Sequence, residues 1–430
     1  MSTTRRAFFR KSIGAAGALS LTSMSAQALA EDVSDALQAL QQQSPLHAAQ
    51  DEELWARIAQ AYTVSPAILN LNNGGVSPQP KVVQDALERY TKYSNEAPSH
   101  YMWHILDKGR EPIRRKLAEL AGTEAGELAI NRNTTEALGT VTFGLPLNKG
   151  DEIVMTRQDY PNMIHAWKQR ELREGIKINW ISFTLPIEND ETILKAFINA
   201  TTPQTRIWHI THMINWTGQI LPVKKLCEEA RRRGLISIVD ASHTFAHLDY
   251  KVRDFNPDYL GTSLHKWLCA PFGTGLLYVQ QKNVEGLWPL FPNDKPQSAD
   301  IRKFETLGTR SFPTEQAIGQ ALDFHLAIGS KRKEERLRYL KNYWCEKVAK
   351  LPRVTLNVSL KPEYACALGN FSIAGIEPEV LSGRLMGEYQ IHAVAIKWEN
   401  ISGVRITPHV YTLERDLDRL VDAITALSKV

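Results

Sequence analysis

Cysteine is scarce in this chain. Four cysteines occur among 430 residues, and they are Cys227, Cys269, Cys345 and Cys366. Their spacing matches neither a zinc site nor a redox motif of the CxxC type. We therefore predict no metal site, and we expect the four thiols to be free and buried, because free cysteines behave as small apolar residues.

An excess of one charge is also lacking once the N-terminus is set aside. The formal net charge is +4, but the first 30 residues contain four basic residues and no acid. The rest of the chain holds 47 basic and 47 acidic residues. Proteins that bind nucleic acid or anionic membranes electrostatically carry a basic excess. The composition therefore indicates neither of these partners.

The chain also lacks an N-terminal apolar run long enough for a stable membrane span, which takes about 20 residues. A short apolar stretch follows Thr4-Arg5-Arg6-Ala7-Phe8-Phe9-Arg10-Lys11, which resembles a twin-arginine export signal, and precedes the small-residue sequence Ala28-Leu29-Ala30. This pattern is typical of a cleaved signal peptide. It predicts a signal peptide over residues 1–30, cleavage near Ala30 and a periplasmic mature protein.

The same signal predicts the first partner of the chain, the twin-arginine export machinery. This route exports folded proteins, which suits an enzyme that must collect its cofactor in the cytoplasm. No cysteine stands at the cleavage site. We therefore expect no lipid attachment there and no stable membrane anchor.

Strands and helices alternate regularly through the middle of the chain. Short apolar runs typical of buried strands are separated by helical segments. Such alternation predicts an α/β fold with a mainly parallel sheet that is covered by helices. We assign residues 31–74 to an N-terminal helical arm, residues 75–320 to a large domain and residues 321–430 to a smaller C-terminal α+β domain.

Two charged residues follow predicted strands near the centre of the chain. Asp240 ends the apolar run Leu235–Val239, and Lys266 follows the strand predicted at Tyr259–Thr262. Ligands of open α/β sheets bind beyond the carboxyl ends of the strands, so we expect Asp240, His243 and Lys266 to gather there. A lysine held beside an aspartate suggests Schiff-base chemistry with a pyridine-ring cofactor.

Each of these features also has an ordinary structural explanation. A lone aspartate at a strand end usually caps a helix or forms a turn, and a lone lysine is usually solvated. The sequence Asn133-Thr134-Thr135 can offer a phosphate the N–H groups and hydroxyls of a helix start, but it suits simple capping equally well. A chemical role for these residues therefore depends on their combination with the rest of the chain.

Five short motifs make that combination specific. They are Asn-Thr-Thr-Glu-Ala from Asn133, Asp-Ala-Ser-His from Asp240, Ser-Leu-His-Lys from Ser263, Gly-Thr-Arg from Gly308 and Gly-Val-Arg-Ile-Thr-Pro-His from Gly403. With them the chain resembles the class V aminotransferase family of fold-type-I pyridoxal 5′-phosphate (PLP) enzymes, and in particular its isopenicillin N epimerase-like branch. The resemblance covers nearly all of the mature chain. It implies the fold-type-I architecture, with PLP bound by the large domain.

The resemblance also implies roles for individual residues. Lys266 would bind PLP as a Schiff base and move the Cα proton, while Asp240 would keep the pyridine nitrogen protonated so that the ring accepts electrons. Tyr160 would stack on the cofactor ring, although a core tyrosine is the alternative. The further cofactor contacts implied are those of Asn215 and His243 to the phenolic oxygen and those of Thr134, Thr135, Ser263 and His265 to the phosphate.

Four more residues concern the substrate and a second subunit. Arg405 matches the arginine that binds a substrate carboxylate in the family, because a guanidinium offers bidentate geometry, although a structural salt bridge is the alternative. Asn73 is a second substrate-binding candidate. Gly308 and Thr309 would reach the cofactor of a neighbouring subunit, which implies a homodimer with active sites at its interface.

The reaction is not determined by the family, which contains aminotransferases, cysteine desulfurases, epimerases and other lyases. Desulfurases carry a nucleophilic cysteine shortly before the carboxylate-binding arginine, and residues 389–398 contain none. We favour an aminotransferase, because proton transfer on one face by Lys266 is sufficient for it. An epimerase, a PLP-dependent lyase and a non-catalytic amino-acid- or peptide-binding protein stay as alternatives.

The expected substrate is a small-molecule or peptidic amine. Exported enzymes in this branch modify the amino-acyl side chains of peptide siderophores, and an export signal removes this chain from cytosolic amino-acid pools. A periplasmic peptide of the siderophore type is therefore one candidate substrate, and a free amino acid is the other.

Replacing both Arg5 and Arg6 with lysine is expected to abolish export, because the export machinery reads the arginine pair. Cell fractionation followed by immunoblotting measures the periplasmic share of the protein. Unchanged periplasmic recovery of the double variant would refute the predicted signal.

Overall fold

The structure is a computed structural model and describes residues 27–429. The predicted twin-arginine motif lies outside the described residues, and the predicted cleavage sequence Ala28-Leu29-Ala30 lies in the first described helix. None of the described helices is both long and apolar enough to cross a membrane. Export, cleavage and the domain limits stay predictions.

Thirteen strands within residues 27–429 form three sheets. The strands are β1 (Leu69–Asn70), β2 (Leu128–Asn131), β3 (Glu152–Thr156), β4 (Lys177–Ile181), β5 (Thr205–Thr211), β6 (Ile236–Asp240), β7 (Tyr259–Ser263), β8 (Gly275–Val279), β9 (Val354–Leu356), β10 (Gly369–Ile373), β11 (Ile391–His392), β12 (Val394–Trp398) and β13 (Ile401–Ile406).

Helices connect and cover these strands. The α-helices are α1 (27–41), α2 (Pro45–Ala48), α3 (Glu52–Ala59), α4 (Lys81–Glu96), α5 (Pro98–His100), α6 (Asp107–Ala121), α7 (Thr134–Gly144), α8 (Pro161–Glu174), α9 (Asp190–Asn199), α10 (Val223–Arg232), α11 (Val252–Phe255), α12 (Gln281–Val284), α13 (Phe312–Gln316), α14 (Ile318–Ile328), α15 (Ser330–Val348), α16 (Pro378–Tyr389) and α17 (Glu414–Ser428). A π-helix covers Tyr101–Leu106, and 3₁₀-helices cover Ala125–Glu127 and Ile301–Glu305.

The largest sheet has seven strands in the order β2-β8-β7-β6-β5-β3-β4. Strand β8 runs antiparallel to both of its neighbours, and the other adjacent pairs are parallel. Two apolar clusters pack on the sheet and its helices, so most strand residues are buried. This arrangement confirms the predicted α/β fold with a mainly parallel sheet, and it explains why the strands read as apolar runs.

The register of the parallel strands brings their carboxyl ends to one edge. Thr211 of β5 pairs with Asp240 of β6, and Asp240 pairs with Gly261 of β7. The loops that follow β5, β6 and β7 therefore begin side by side. This edge is where ligands bind in open α/β sheets.

The C-terminal part of the chain forms a smaller antiparallel sheet in the order β12-β13-β10-β9. A separate apolar cluster packs this sheet against α15, α16 and α17. Strands β1 and β11 form a separate two-stranded sheet, which ties the segment after α3 to the C-terminal part of the chain. The predicted α+β character of the C-terminal part is confirmed.

The helix around Pro112 differs from the prediction. The sequence predicts that it begins at Arg110, because proline is tolerated in a first turn. The structure begins α6 at Asp107, directly after the π-helix, so that Pro112 lies inside the helix. The ring of Trp103 in the π-helix packs edge-on against Phe312, with 4.9 Å between centroids. Such tertiary contacts extend the helical segment beyond the local signal.

Six buried histidines lie inside the fold. They are His209, His212, His243, His247, His325 and His409. Burial lowers the pKa of each, to about 4 for His209 and to about 3 for His212 and His247. The folded protein therefore keeps these rings neutral at pH values where the unfolded chain protonates them.

Lowering the pH from 7 to 5 is expected to reduce the free energy of unfolding. In the unfolded chain each histidine binds a proton below its ordinary pKa of about 6.5, whereas in the folded protein the ring stays neutral. The contribution of each ring to the free energy of unfolding is therefore fully present above that pH. It falls below that pH by at most about 1.4 kcal/mol per pH unit for each ring. Guanidinium unfolding at pH 7, 6 and 5 measures the slope. Substituting His212→Asn should reduce the slope, whereas His100→Asn, on the surface, should not. Equal stability at pH 7 and 5 would contradict the expectation.

Candidate active site

A cavity of about 450 Å³ lies where the carboxyl ends of β6 and β7 meet strands β12 and β13. Its lining includes nine of the residues that the sequence predicts for the site. These are Thr134, Thr135, Tyr160, Asn215, His243, Ser263, His265, Lys266 and Arg405. Asp240 lies just beneath it and is hydrogen-bonded to Ser242, which also lines the cavity.

Lys266 lies in the loop that follows β7. A hydrogen bond of 2.9 Å from Leu264 N to the carbonyl oxygen of Thr274 closes this loop. The Lys266 Nζ atom lies 3.2 Å from His243 Nε2. Burial lowers the pKa of Lys266 to about 8, with Asp240 opposing this shift and Arg405 adding to it. A fraction of this amine is therefore neutral near pH 8 and can act as a base.

A chain of hydroxyl groups joins the acid at the end of β6 to the start of α7. Ser242 donates its backbone N–H to Asp240 Oδ1 over 2.9 Å. Its hydroxyl oxygen lies 2.5 Å from Asp240 Oδ1 and 2.8 Å from Thr134 Oγ1, and Thr134 Oγ1 lies 2.8 Å from Ser263 Oγ. The predicted phosphate-binding residues Thr134 and Ser263 are thus held together at a helix N-terminus, which favours anions.

The start of α7 is held close to the sheet. Asn133 caps the helix by accepting a hydrogen bond of 2.9 Å from Glu136 N. A Cβ at Gly275 would lie 2.6 Å from the backbone N and Cα of Asn133, so a side chain there would push the two segments apart. Asn162 donates to Thr135 Oγ1 over 3.2 Å and adds a second amide beside the helix start.

Two histidines flank Lys266 and are held neutral. Burial lowers the pKa of His243 well below its usual value, and the charges of Lys266 and Arg405 lower it further. Burial and Lys266 also lower the pKa of His265, whose Nδ1 lies 2.9 Å from the carbonyl oxygen of Thr274. The Nδ1 atom of His243 is buried without a hydrogen-bond partner in the described part of the chain.

Arg405 enters the cavity from β13 as a cation without an acidic partner. Its guanidinium donates to the carbonyl oxygen of Asn215 over 2.8 Å and to Asn72 Oδ1 over 3.0 Å. Its Nε is buried without a partner, and among the ion pairs of residues 27–429 none involves Arg405. Burial lowers the pKa of Arg405 to about 10, an effect that Tyr160 partly offsets. A structural salt bridge is therefore not its role here, and an anionic ligand would compensate its charge.

Besides Asp240, three predicted site residues do not line the cavity. The side chain of Asn73 is fully buried and bonds the carbonyl oxygen of Thr407 and the hydroxyl of Tyr411, and its neighbour Asn72 contacts Arg405 instead. Gly308 and Thr309 are exposed and lie outside the lining. Their role in a partner subunit stays a prediction.

Several other residues that line the cavity were not predicted from the sequence. Ser242 stands inside the Asp-Ala-Ser-His motif, and Asn162 lies in the first turn of α8, so both positions carried a local signal. Trp216, Val394 and Ile396 are apolar, and their sequences do not distinguish them from core residues. No cluster of three or more side chains suited to a metal ion occurs among residues 27–429.

Comparison with known proteins identifies the family. The model of the class V aminotransferases matches residues 69–420. The chain belongs to this family. Among curated relatives, isopenicillin N epimerase of Streptomyces clavuligerus is 28% identical over 87% of this chain and 98% of its own length. A probable cysteine desulfurase of Halalkalibacterium halodurans is 26% identical over 88% of this chain and 97% of its own length.

Solved structures show the same fold. A cysteine desulfurase of Escherichia coli superimposes with a TM-score of 0.76 at 20% identity and covers 87% of this chain and 98% of its own. A variant of C-DES with glycine covalently linked to its PLP cofactor superimposes with a TM-score of 0.74 at 21% identity, over 83% of this chain and 96% of its own. The fold is therefore that of the fold-type-I PLP enzymes, and pyridoxal 5′-phosphate is the cofactor of this family member.

The residues around the cavity fit this cofactor. Hydroxyls and N–H groups at the start of α7 offer what a phosphate needs, and Asp240 offers a carboxylate to a protonated pyridine nitrogen. The unpartnered Nδ1 of His243 is one of the buried polar atoms that a ligand can satisfy. The buried amine of Lys266, with its lowered pKa, is suited to attack a carbonyl carbon.

Substituting Arg405→Lys is expected to weaken the binding of amino-acid carboxylates roughly 10- to 100-fold, because a lysine cannot make the paired hydrogen bonds of a guanidinium. Calorimetric titration of the holoenzyme with amino acids, and with the matching amines that lack the carboxylate, measures the effect. Binding of the amines should be unchanged. Arg384→Lys, on an exposed face of α16 beside Glu388, is the matched control. An equal loss of affinity for the amino acids and for the matching amines would contradict a carboxylate-binding role.

Proposed function

We propose that this protein is a PLP-dependent aminotransferase that acts on the amino group of an amino acid or peptidyl substrate in the periplasm. One observation carries the proposed reaction. Among the described residues that line the cavity, Lys266 supplies an amine whose lowered pKa of about 8 leaves part of it neutral, and none is an aspartate, a glutamate or a cysteine. The periplasmic location rests on the N-terminal sequence alone.

The residues of the cavity divide the work between binding and proton transfer. Bound PLP supplies an aldehyde that takes up an amino group and a ring that accepts the electrons of a broken Cα–H bond. Arg405 binds the substrate carboxylate and so fixes the direction of the Cα–H bond. Lys266 Nζ would take the Cα proton and deliver a proton on the same side to the cofactor carbon that carried the aldehyde oxygen. Neutral His243, 3.2 Å away, can accept a hydrogen bond from this amine and hold it in place.

A cysteine desulfurase is not supported by the thiols of this chain, although such enzymes are among its relatives. All four cysteines are free and buried, as the sequence predicts. Burial raises the pKa of Cys227, Cys345 and Cys366 to about 12 and also raises the pKa of Cys269. A thiol that stays protonated and buried is a poor nucleophile.

An epimerase is the second candidate, because two isopenicillin N epimerases are 28% and 27% identical to this chain over most of its length. Epimerisation needs a second acid on the face of Cα opposite Lys266. Tyr160, which is 42% exposed, is the remaining ionisable side chain of the lining after the lysine, the two histidines and the arginine. Its phenol is the group that would have to supply that proton.

We propose in addition that the protein works as a homodimer. The exposed Trp103 packs against Phe312, which closely follows Gly308 and Thr309, and the side chain of Phe272 in the Lys266 loop is also exposed. Aromatic side chains are enriched at interfaces between protein chains, so these residues support the proposal. A second subunit would cover them and bring its own Gly308 and Thr309 to the cofactor.

Incubation of the holoenzyme with candidate amino donors tests the reaction. An aminotransferase converts the cofactor to its amine form and releases the oxo acid of the donor, and absorbance with mass spectrometry measures both. Lys266→Ala should lose cofactor attachment and this conversion, whereas Lys251→Ala, a surface substitution, should keep them. Exchange of the Cα hydrogen with deuterium oxide without an oxo acid would refute transamination and support epimerisation, and Tyr160→Phe should then abolish the inversion.

A further inference from the structure

We propose that the site selects a substrate whose side chain is uncharged and apolar, and that Trp216, Val394 and Ile396 form the wall that selects it. We call these three residues the apolar wall. The proposal rests on the proposed function, because it names the class of substrate whose amino group that site receives.

The apolar wall lies beside the carboxylate-binding arginine. Val394 of β12 is paired directly with Arg405 of β13, and Ile396 is paired with Gly403. Directly opposed residues of an antiparallel pair share one face of the sheet, so both apolar side chains lie on the face of Arg405. A substrate whose carboxylate is bound by Arg405 therefore places the group attached to its Cα within reach of this wall.

Trp216 completes the wall with its ring packed on a neighbouring aromatic side chain, and its Nε1 has no hydrogen-bond partner among the described residues. It follows Asn215, whose carbonyl oxygen accepts from Arg405. Its ring stacks on Trp398 with 5.3 Å between centroids and 24° between planes. Asn370 donates to its carbonyl oxygen over 3.1 Å. A flat face that is fixed before binding favours flat or apolar groups, because little side-chain freedom is lost.

The position of Asn370 depends on the absence of a side chain at Gly403. A Cβ at Gly403 would lie 2.2 Å from Asn370 Oδ1 and 2.6 Å from the carbonyl oxygen of Phe371. Glycine at residue 403 therefore lets Asn370 reach Trp216 while Ile396, on the neighbouring strand, turns toward the cavity. The pairing of β10, β13 and β12 therefore positions the residues of the apolar wall.

The charges of the cavity exclude a second ionised group on the substrate. Its fixed cations are Lys266 and Arg405, and both are assigned to the reaction and to the carboxylate. No aspartate or glutamate of residues 27–429 lines the cavity, so a side-chain ammonium would have no counter-ion. The nearest cation on β12, Lys397, is paired with Ser402 on the opposite face and forms an ion pair of 3.0 Å with Glu377. Placing an unpaired charge against the apolar wall would be strongly unfavourable.

Amino acids with a methyl group on Cα test this selection separately from the reaction, because they can bind but have no Cα proton to lose. Calorimetric titration of the holoenzyme with α-methylphenylalanine, α-methylglutamine and α-methylglutamate gives the order of affinity. We expect α-methylphenylalanine to bind best. The neutral glutamine analogue should bind at least tenfold more tightly than the glutamate analogue of nearly the same shape. Equal or tighter binding of α-methylglutamate, or binding of none of the three, would overturn the proposal.

Variants of the apolar wall test its residues. Trp216→Ala should lower the affinity for α-methylphenylalanine roughly tenfold and leave the affinity for α-methylglutamate unchanged. Trp216→Phe should retain the preference for α-methylphenylalanine. Val394→Lys, at a half-buried position that tolerates a longer side chain, should raise the affinity for α-methylglutamate at least tenfold. Lys397→Ala, on the other face of β12, is the matched control. Unchanged affinities in both Trp216→Ala and Val394→Lys, with circular dichroism showing folded proteins, would refute the role of the wall.

Turnover of the unmethylated amino acids separates the two proposals. Tight binding of phenylalanine without formation of the oxo acid would refute the aminotransferase and leave the substrate class standing. Faster conversion of glutamate than of phenylalanine, compared as kcat/KM, would refute the substrate class and leave the aminotransferase standing.

Discussion

The burial of the Lys266 amine at the carboxyl edge of the parallel sheet is the constraint on which the rest of the site depends. An ammonium group removed from water loses hydration, so its pKa falls to about 8. The protein does not neutralise this cation with a close ion pair among residues 27–429. It places neutral His243 at 3.2 Å instead, and it keeps Asp240 engaged by Ser242. The amine can therefore exchange a proton near neutral pH.

The second buried cation follows the same physical logic. Arg405 is held by a carbonyl oxygen and an amide oxygen, both of which are neutral, so its charge is left for a ligand. The start of α7, with its hydroxyls and N–H groups, is a third position that favours an anion. The cavity can thus bind a phosphate at the start of α7 and a carboxylate at Arg405. Val394 and Ile396 of the apolar wall lie on the same face of the small sheet as Arg405.

The family uses one scaffold for several reactions, and our proposed choice among them rests on the ionisable side chains that line the cavity and on the state of the thiols. Burial of all four cysteines removes the nucleophile of a desulfurase. Among the described residues the lining holds no carboxylic acid, which supports our proposal that Lys266 is the main proton carrier. The similarity to two isopenicillin N epimerases, together with the phenol of Tyr160 in the lining, keeps the epimerase as the second candidate. The reaction therefore depends on few groups, which explains how close relatives on this fold can differ in activity.

The amino-acid sequence determined the strands and the lysine loop, because both are local features. The apolar run at Gly275–Val279 is a strand at those same residues, since a strand buried on both faces must be apolar throughout. The carboxyl ends of β6 and β7 then bring Asp240 and Lys266 together through regular pairing. The resemblance to the family added Arg405, which lies far along the chain from both.

Tertiary packing decided the features that have no local signal. Asn72 and Asn73 are adjacent and chemically identical, yet a turn begins directly after Asn72, and the two side chains have different partners. The pairing of Asn72 with Thr407 turns it toward Arg405 and buries Asn73. The apolar wall exists because β12 pairs with β13 in one register, and a shift by one residue would turn Val394 and Ile396 away from the cavity. The sequence by itself therefore determined which residues could do the chemistry, and packing of the small sheet on the large one decided which residues surround the substrate.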